Sequence, residues 1–325
     1  MKTRSQRRLN NPLSAVFVET ERVKRAFVRI DELVDEGWED GNCRALLLLG
    51  HSRAGKTHIV DNYIRLRMTE QPDDPERLRI LKVEVQAGCK LKTFATDLLI
   101  ALGDPDPGGG SQAEMTRRIA EAIEREEFDL VIFDEVQRLI DADTDKVKRD
   151  VANWVTGLLN RRLCPLLLVG ERTAERVFQS NMHVKGRTFG QILLEPYDWS
   201  SEADRKEFRA VLHLLEKKLG LPEASGLGQA RVAIRIYAYS GGLLGEAATL
   251  VVQAALIARR MGRPCLNEEI LALAVDELRI GEDRKLPNPF RTEVTKPRAI
   301  TAGAEAHVPR RGLGRPAAAV PAEEE

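Results

Sequence analysis

Gly50-His51-Ser52-Arg53-Ala54-Gly55-Lys56-Thr57 is the stretch that decides the fold. It matches GxxxxGK[ST], a loop that wraps nucleotide phosphates, and it sits in the context that loop needs. An apolar run at 45–49 precedes it as a buried strand, and 56–68 follows with helical spacing. Gly50 and Gly55 let the backbone approach the phosphates closely. Successive N–H groups and the helix start make an anion-binding concavity. Lys56 is expected to reach the β- and γ-phosphates of ATP, and the Thr57 hydroxyl to ligate Mg²⁺. The nucleotide-contacting set is Gly50, His51, Ser52, Arg53, Ala54, Gly55, Lys56, Thr57 and His58, with the two histidines flanking the loop.

Outward from the loop, Asp129-Leu130-Val131-Ile132-Phe133-Asp134-Glu135 is a second buried strand, ending in an acidic pair. Asp134 is placed to hold Mg²⁺ through water. Glu135, directly after it, is placed to polarise a water for attack on the γ-phosphate. That pattern points to hydrolysis rather than phosphoryl transfer to a small molecule. Further strand-like runs at 79–85, 165–169 and 191–195 alternate with helical stretches at 56–68, 91–102, 112–126 and 146–162. The alternation predicts an α/β parallel sheet with helices on both faces. The run GDPDPGGGS at 103–111 reads as a surface loop.

After Tyr197 no strand-like run remains, and helices are expected at 201–219, 229–240, 244–260 and 267–278. This predicts a small all-helical lid. From 282 the chain is rich in Pro, Gly, Ala and charge and reads as a disordered tail. The expected organisation is a basic N-terminal segment with an amphipathic helix (1–40), an ATPase core (41–198), a helical lid (199–281) and the tail (282–325). In Gly170-Glu171-Arg172-Thr173, at the end of the 165–169 strand, any of Glu171, Arg172 or Thr173 could position the attacking water. An ordinary strand-to-helix turn with a capping side chain is the other reading. Tyr239-Ser240-Gly241-Gly242-Leu243-Leu244-Gly245 breaks two lid helices with a tight turn over the nucleotide.

Hydrophobic residues make up 43% and charged residues 31%, which excludes a disordered chain. Lys plus Arg and Asp plus Glu number 50 each, which excludes a polyanion-coating protein by bulk charge but not a local basic patch. The first thirty residues hold eight basic residues against two acidic ones, a local charge of +6. Apolar positions over 21–34 follow helical spacing. That helix packs on the core, or its basic side contributes to a DNA-facing surface. The four cysteines are far apart, with no CxxC pattern, which argues against zinc and for free thiols in a cytosolic protein. No apolar run approaches the ~20 residues of a membrane span, and no signal-peptide core stands at the N-terminus.

Together these features resemble the AAA+ ATPases and, within them, the TniB/TnsC-type transposition regulators. The likeness lies in LLLLGHSRAGKTHIVDNYI, LVIFDEVQRL, CPLLLVGERTAERV, GRTFGQILLEPYDW and YSGGLLGEAATLVVQAALIARRMGR, and covers roughly residues 15–280. The resemblance implies an AAA+ sheet with helical lid, slow DNA- or partner-stimulated hydrolysis of ATP with Mg²⁺, and assembly as a homo-oligomer, ring or filament, on duplex DNA. It also implies recruitment or activation of a DDE transposase in bacterial cytoplasm. Arg187, just before the fifth strand, is the candidate for a cation entering a neighbouring copy's site, with Arg176 and Lys185 as alternatives. Relatives often carry Thr where Glu171 stands and Arg-Phe where Arg187-Thr188-Phe189 stands, and an Arg after the glycine turn is missing here. DNA contacts are expected mainly to phosphates. Candidates are the N-terminal basic residues, Lys82, Lys90, Lys92, Lys146, Lys148, Arg149, and tail residues Arg310, Arg311 and Arg315. An AAA+ ATPase of helicase-loader or secretion-associated type, acting on a protein partner, is the alternative. Glu135 and the lid argue against a small-molecule kinase.

Overall fold

In the computed structural model the described residues are 17–68, 78–140, 145–180 and 186–294. Helix α1 (Glu21–Asp40) leads into β1 (Ala45–Gly50), the phosphate loop and α2 (Lys56–Met68). Then come β2 (Ile80–Glu84), α3 (Leu91–Ala101), α4 (Gln112–Arg125), β3 (Leu130–Asp134), a 3₁₀ turn (Val136–Leu139) and α5 (Asp145–Asn160). β4 (Leu166–Gly170), α6 (Thr173–Ser180) and β5 (Thr188–Leu194) complete the sheet. The strands form a five-stranded parallel sheet in the order β2-β3-β4-β1-β5. The expected α/β architecture is therefore present. β4 separates β1 from β3, so the phosphate loop and the acidic pair leave the sheet on either side of a common neighbour.

The central strands are apolar along their whole length because both faces are covered. Alternate residues go to opposite layers. Leu47, Leu49, Val131, Phe133 and Leu168 pack under α3, α4 and α5, against Phe94, Met115 and Trp154. Leu46, Leu48, Ile132 and Leu167 face α1 and α2, against Ile30, Leu33 and Tyr63. Helix α1 thus packs as a layer on one face of the sheet. It runs past the expected end at 34 to Asp40. The periodic apolar pattern stops there, but the backbone stop signal is Gly41 at φ 57°.

The lid comprises α7 (Glu202–Leu219), α8 (Ala230–Ser240), α9 (Leu244–Arg260) and α10 (Glu268–Leu278) around its own core, with Phe208, Tyr237, Leu250 and Leu271 buried. Residues 282–294, expected to belong to the tail, are built into the fold. Gly281–Lys285 is a 3₁₀ turn, and Phe290 is buried in the lid core. Asn288 Nδ2 donates to Ala272 O at 2.9 Å and to Asp276 Oδ1 at 2.8 Å. The Pro-rich composition hid one buried aromatic and one buried amide. Residues 295–325, with Arg310, Arg311 and Arg315, lie outside the described residues.

Two further differences are local. β5 begins at Thr188, three residues before the expected start. Gly190, at φ 113°, shifts the register between Ala45 and Leu46, so alternation is readable only beyond it. α6, which the sequence offers only as the helix after a strand-to-helix turn at 170–173, and the 3₁₀ turn are too short to show a period. Among the described residues no single helix is long and apolar enough to cross a membrane.

Candidate nucleotide site

The phosphate loop leaves β1 at Gly50, where a Cβ would lie 2.7 Å from Leu194 O. Arg53 (φ 60°) and Gly55 (φ 98°) turn the loop through left-handed conformations. The Ala54 N–H donates to His51 O at 3.1 Å, and the helix begins with Ile59 N–H to Gly55 O at 3.0 Å. Lys56 is only 4% exposed. Its Nζ donates to Gly50 O at 3.0 Å and His51 O at 2.8 Å, folded back on the loop. Burial pushes its ammonium below the ordinary lysine range, against the opposing charges of Glu135, Glu171 and Asp134. Ser52, Arg53, Thr57 and His58 are exposed, and His51, Ala54 and Gly55 are half-buried. The His58 ring packs against Phe17, with centroids 5.7 Å apart.

β3 delivers Asp134 into the interior, 1% exposed. Its Oδ1 accepts the Glu135 N–H at 3.0 Å, and its Oδ2 lies 3.2 Å from Lys82 Nζ. Lys82 also donates to Asp61 Oδ1 at 2.6 Å. Lys82 was expected to face DNA; it belongs to the acidic side of this site instead. Burial pulls its ammonium down, but the Asp61 hydrogen bond and the charges of Asp134 and Asp61 outweigh burial, and the net shift is upward. The expectation failed because β2 is an edge strand whose second face meets α2, which a one-dimensional pattern does not reveal.

Glu135 stands in a left-handed conformation, φ 61° and ψ 37°. Its Oε2 accepts from Gln137 Nε2 at 2.6 Å and lies 3.4 Å from Arg138 Nη2. Arg138 Nη1 reaches Glu84 Oε1 at 2.7 Å and Val85 O at 2.8 Å, at the end of β2. Gln137 Oε1 accepts the Glu171 N–H at 3.1 Å. Neither Gln137 nor Arg138 was anticipated, although both stand in the string LVIFDEVQRL. Of the three residues at the β4 exit, Arg172 pairs with Glu195 Oε1 at 2.8 Å, and Thr173 starts α6. The Glu171 charge acts on Lys56. Glu135 and the Glu171 backbone thus meet at Gln137, and the charges of Glu135, Glu171 and Asp134 all act on Lys56.

The lid docks on the phosphate loop. Gly245 N–H donates to Arg53 O at 3.1 Å, and a Cβ at Gly245 would sit 2.5 Å from that oxygen. The Arg53 side chain reaches Glu246 Oε1 at 3.2 Å and Thr249 Oγ1 at 3.4 Å. No lid arginine follows the glycine turn; the loop carries the cation and the lid the carboxylate. Gly242 (φ 87°) closes the turn against Tyr197, whose N–H donates to Gly242 O at 3.0 Å. Between loop, α1 and lid lies a cavity lined by Thr20, Val23, Ile59, Tyr197, Leu243 and Leu244. No sequence motif marks it, because its walls come from four separate elements.

Arg187 lies at the other end of the sheet. Its carbonyl accepts the Ala45 N–H at 2.9 Å, and its charge acts on Cys43. β1 spans roughly 17 Å from there to the phosphate loop. Arg187 is therefore remote from its own chain's phosphate site. The side chain of residue 176 and the whole of Lys185 lie outside the described residues.

No group of three His, Cys, Asp or Glu residues suited to a metal occurs among the described residues. Mg²⁺ needs no such cage, since one carboxylate, a hydroxyl, waters and phosphates suffice. Asp134 and Thr57 fit that donor set. His51 Nε2 and Thr173 Oγ1 are buried without hydrogen-bond partners among the described residues, so the site has unspent polar capacity.

Residues 8–199 match the family model described as Bacterial TniB protein. The chain belongs to the TniB family. Comparison with curated proteins returned no match. Solved structures share the fold of this TniB-family chain at low identity. The ORC1 protein of Aeropyrum pernix, solved in complex with DNA, is 16% identical, with 82% of this chain and 68% of that chain covered at a TM-score of 0.61. Cdc6p of Pyrobaculum aerophilum is 17% identical, with 86% and 74% covered at 0.62. The Walker-type ATPase PABY2304 of Pyrococcus abyssi is 16% identical, with 82% and 73% covered at 0.53. What they share with this chain is the fold, a parallel sheet flanked by helices and followed by a helical region.

The basic face of α1 is largely spoken for. Arg22 donates to Glu195 O and Asp204 Oδ2, both at 2.6 Å, with its guanidinium 3.9 Å from the Tyr197 ring centroid. Arg29 donates to Glu32 and to Phe189 O, and Lys24 to Glu21. Arg22 ties the helix to the end of β5 and to the lid, and Arg29 ties it to β5, whereas Lys24 pairs only within the helix and stays exposed; the apolar face and two of the cations serve packing. Lys90, Lys92, Lys146 and Arg149 are exposed. Lys2, Arg4, Arg7 and Arg8 lie outside the described residues.

Proposed function

We propose that this chain binds and hydrolyses ATP and, in its ATP state, assembles as a homo-oligomer on duplex DNA, where it recruits or activates a DDE transposase for target selection. The observation that carries the reading is the action of the Glu135, Glu171 and Asp134 charges on Lys56 in a chain that belongs to the TniB family. A cytoplasmic setting in a bacterium goes with it.

In this reading the loop N–H groups and Lys56 hold the phosphates, with Lys56 exchanging its two loop carbonyls for phosphate oxygens. The adenine base lies in the cavity between Val23, Ile59, Tyr197 and Leu243. Glu135 takes the proton of the attacking water, and Glu171 helps to orient that water. Asp134 and Thr57 would hold Mg²⁺, which would supply charge neutralisation at the phosphates. Arg187, remote from its own loop, serves the site of the neighbouring copy. DNA is held through phosphates by Lys90, Lys92, Lys146 and Arg149, so binding weakens steeply with salt. The A. pernix relative in fold was solved with DNA, which supports this assignment.

The test is duplex-DNA binding by the purified protein with no nucleotide, ADP, ATP and a non-hydrolysable analogue, with salt varied. Cooperative binding with ATP or the analogue only, lost in Lys56→Ala, is expected. ATP turnover without DNA binding in any state would turn the reading to a protein partner.

A further inference from the structure

We propose that Gln137 is a positioning residue that holds Glu135 at the phosphate site and ties it to the β4 exit. This rests on reading Glu135 as the base.

Gln137 is polar yet only 4% exposed. Both ends of its amide are engaged: Nε2 donates to Glu135 Oε2 at 2.6 Å, and Oε1 accepts the Glu171 N–H at 3.1 Å. The first partner is a carboxylate and needs a donor. The second is an N–H and needs an acceptor. An amide terminus offers both, a donor and an acceptor on one planar group. A glutamate here would set a second carboxylate against the first, and a methionine would make neither bond.

Gly170 shows independently that space is reserved for this side chain. A Cβ there would lie 2.7 Å from Gln137 Oε1 and 2.9 Å from Val136 Cγ2. Gly170 is the last residue of β4 and is not among the glycines with positive φ, so clearance rather than backbone freedom calls for a glycine. Both contacts to Glu135, from Gln137 and from Arg138, fall on Oε2, which leaves Oε1 as the oxygen available to a proton.

The experiment compares wild type, Gln137→Met, Gly170→Ala and Glu135→Gln for ATP turnover, with DNA present and absent. Affinity for a fluorescent ATP analogue and thermal midpoint are measured alongside. Gln137→Met keeps the volume and loses both bonds. Gly170→Ala changes no polar group and displaces the amide. Both are expected to lower kcat about 10–100-fold, the scale of a small misplacement of a reacting group, with KM and analogue affinity within about twofold. Unchanged kcat in both variants would overturn the proposal. A rise in kcat would overturn it too, since Gln137 would then restrain the base. KM and affinity lost in step with kcat would make the residue merely structural. A wild type with no turnover under any condition would sink the hydrolytic reading itself, a result distinct from these.

Discussion

At Glu135 a carboxylate stands on a left-handed backbone, a conformation that costs a non-glycine residue about 1–2 kcal/mol. The hydrogen bond that Gln137 donates to its carboxylate, and the one its own N–H donates to Asp134 Oδ1, offset that cost. Glu135→Gln keeps shape and backbone and removes the base. It is expected to bind ATP normally and to turn over at least ~100-fold more slowly, read by steady-state phosphate release beside nucleotide affinity. A second expectation concerns the thiols. Burial raises Cys43, Cys89 and Cys164 above the ordinary thiol range. The unfolded chain therefore loses these protons first as pH climbs. The stability they contribute is full below about pH 8.5 and is lost as pH rises beyond it. Urea midpoints at pH 7 and pH 10 check this, and Cys164→Ala should narrow the gap between them.

Among the elements, the start of α9 against the phosphate loop is the contact most exposed to a single change. Gly245 has no room for a Cβ beside Arg53 O. Gly245→Ala is expected to lift the lid from the loop, costing about 1–3 kcal/mol as an overpacked contact and weakening ATP binding. Urea denaturation and nucleotide titration read the two effects. Glu246→Gln leaves the backbone contact and removes only the charge partner of Arg53, so its stability should stay close to wild type. The elements themselves were largely legible in the chain. Helices α2 and α9 begin and end where their spacing indicates, and the central strands read as unbroken apolar runs. The short elements were not legible. α6 and the turn after Glu135 hold too few residues for a period, and β5 is masked at its start by the irregularity at Gly190.

For the whole molecule the decisive position is Arg187, at the far end of the sheet from its own phosphate loop. If it serves the neighbouring copy, Arg187→Ala and Glu135→Gln should each be nearly inactive alone yet regain turnover when mixed. In the mixture an intact Glu135 can meet an intact Arg187 across a subunit boundary. Phosphate release from the equimolar mixture on duplex DNA is the measurement, and no recovery would remove Arg187 from that role.

The chain by itself determined the sheet, the phosphate loop, the acidic pair and the lid. Each is written in contiguous residues whose spacing mirrors a local geometry: period two or unbroken apolar runs for strands, 3.6 for helices, a glycine pattern for the loop. Tertiary structure alone decided which charges remain available. Lys82 went to Asp61 and Asp134, Arg22 to Glu195 and Asp204, and Glu171 to the neighbourhood of Lys56. It also decided that Gln137 would bridge two strand ends and that residues 281–294 would close on the lid. The reason is physical. A charged or amide side chain finds its partner through burial and hydrogen-bond geometry, and both depend on residues far away in the chain.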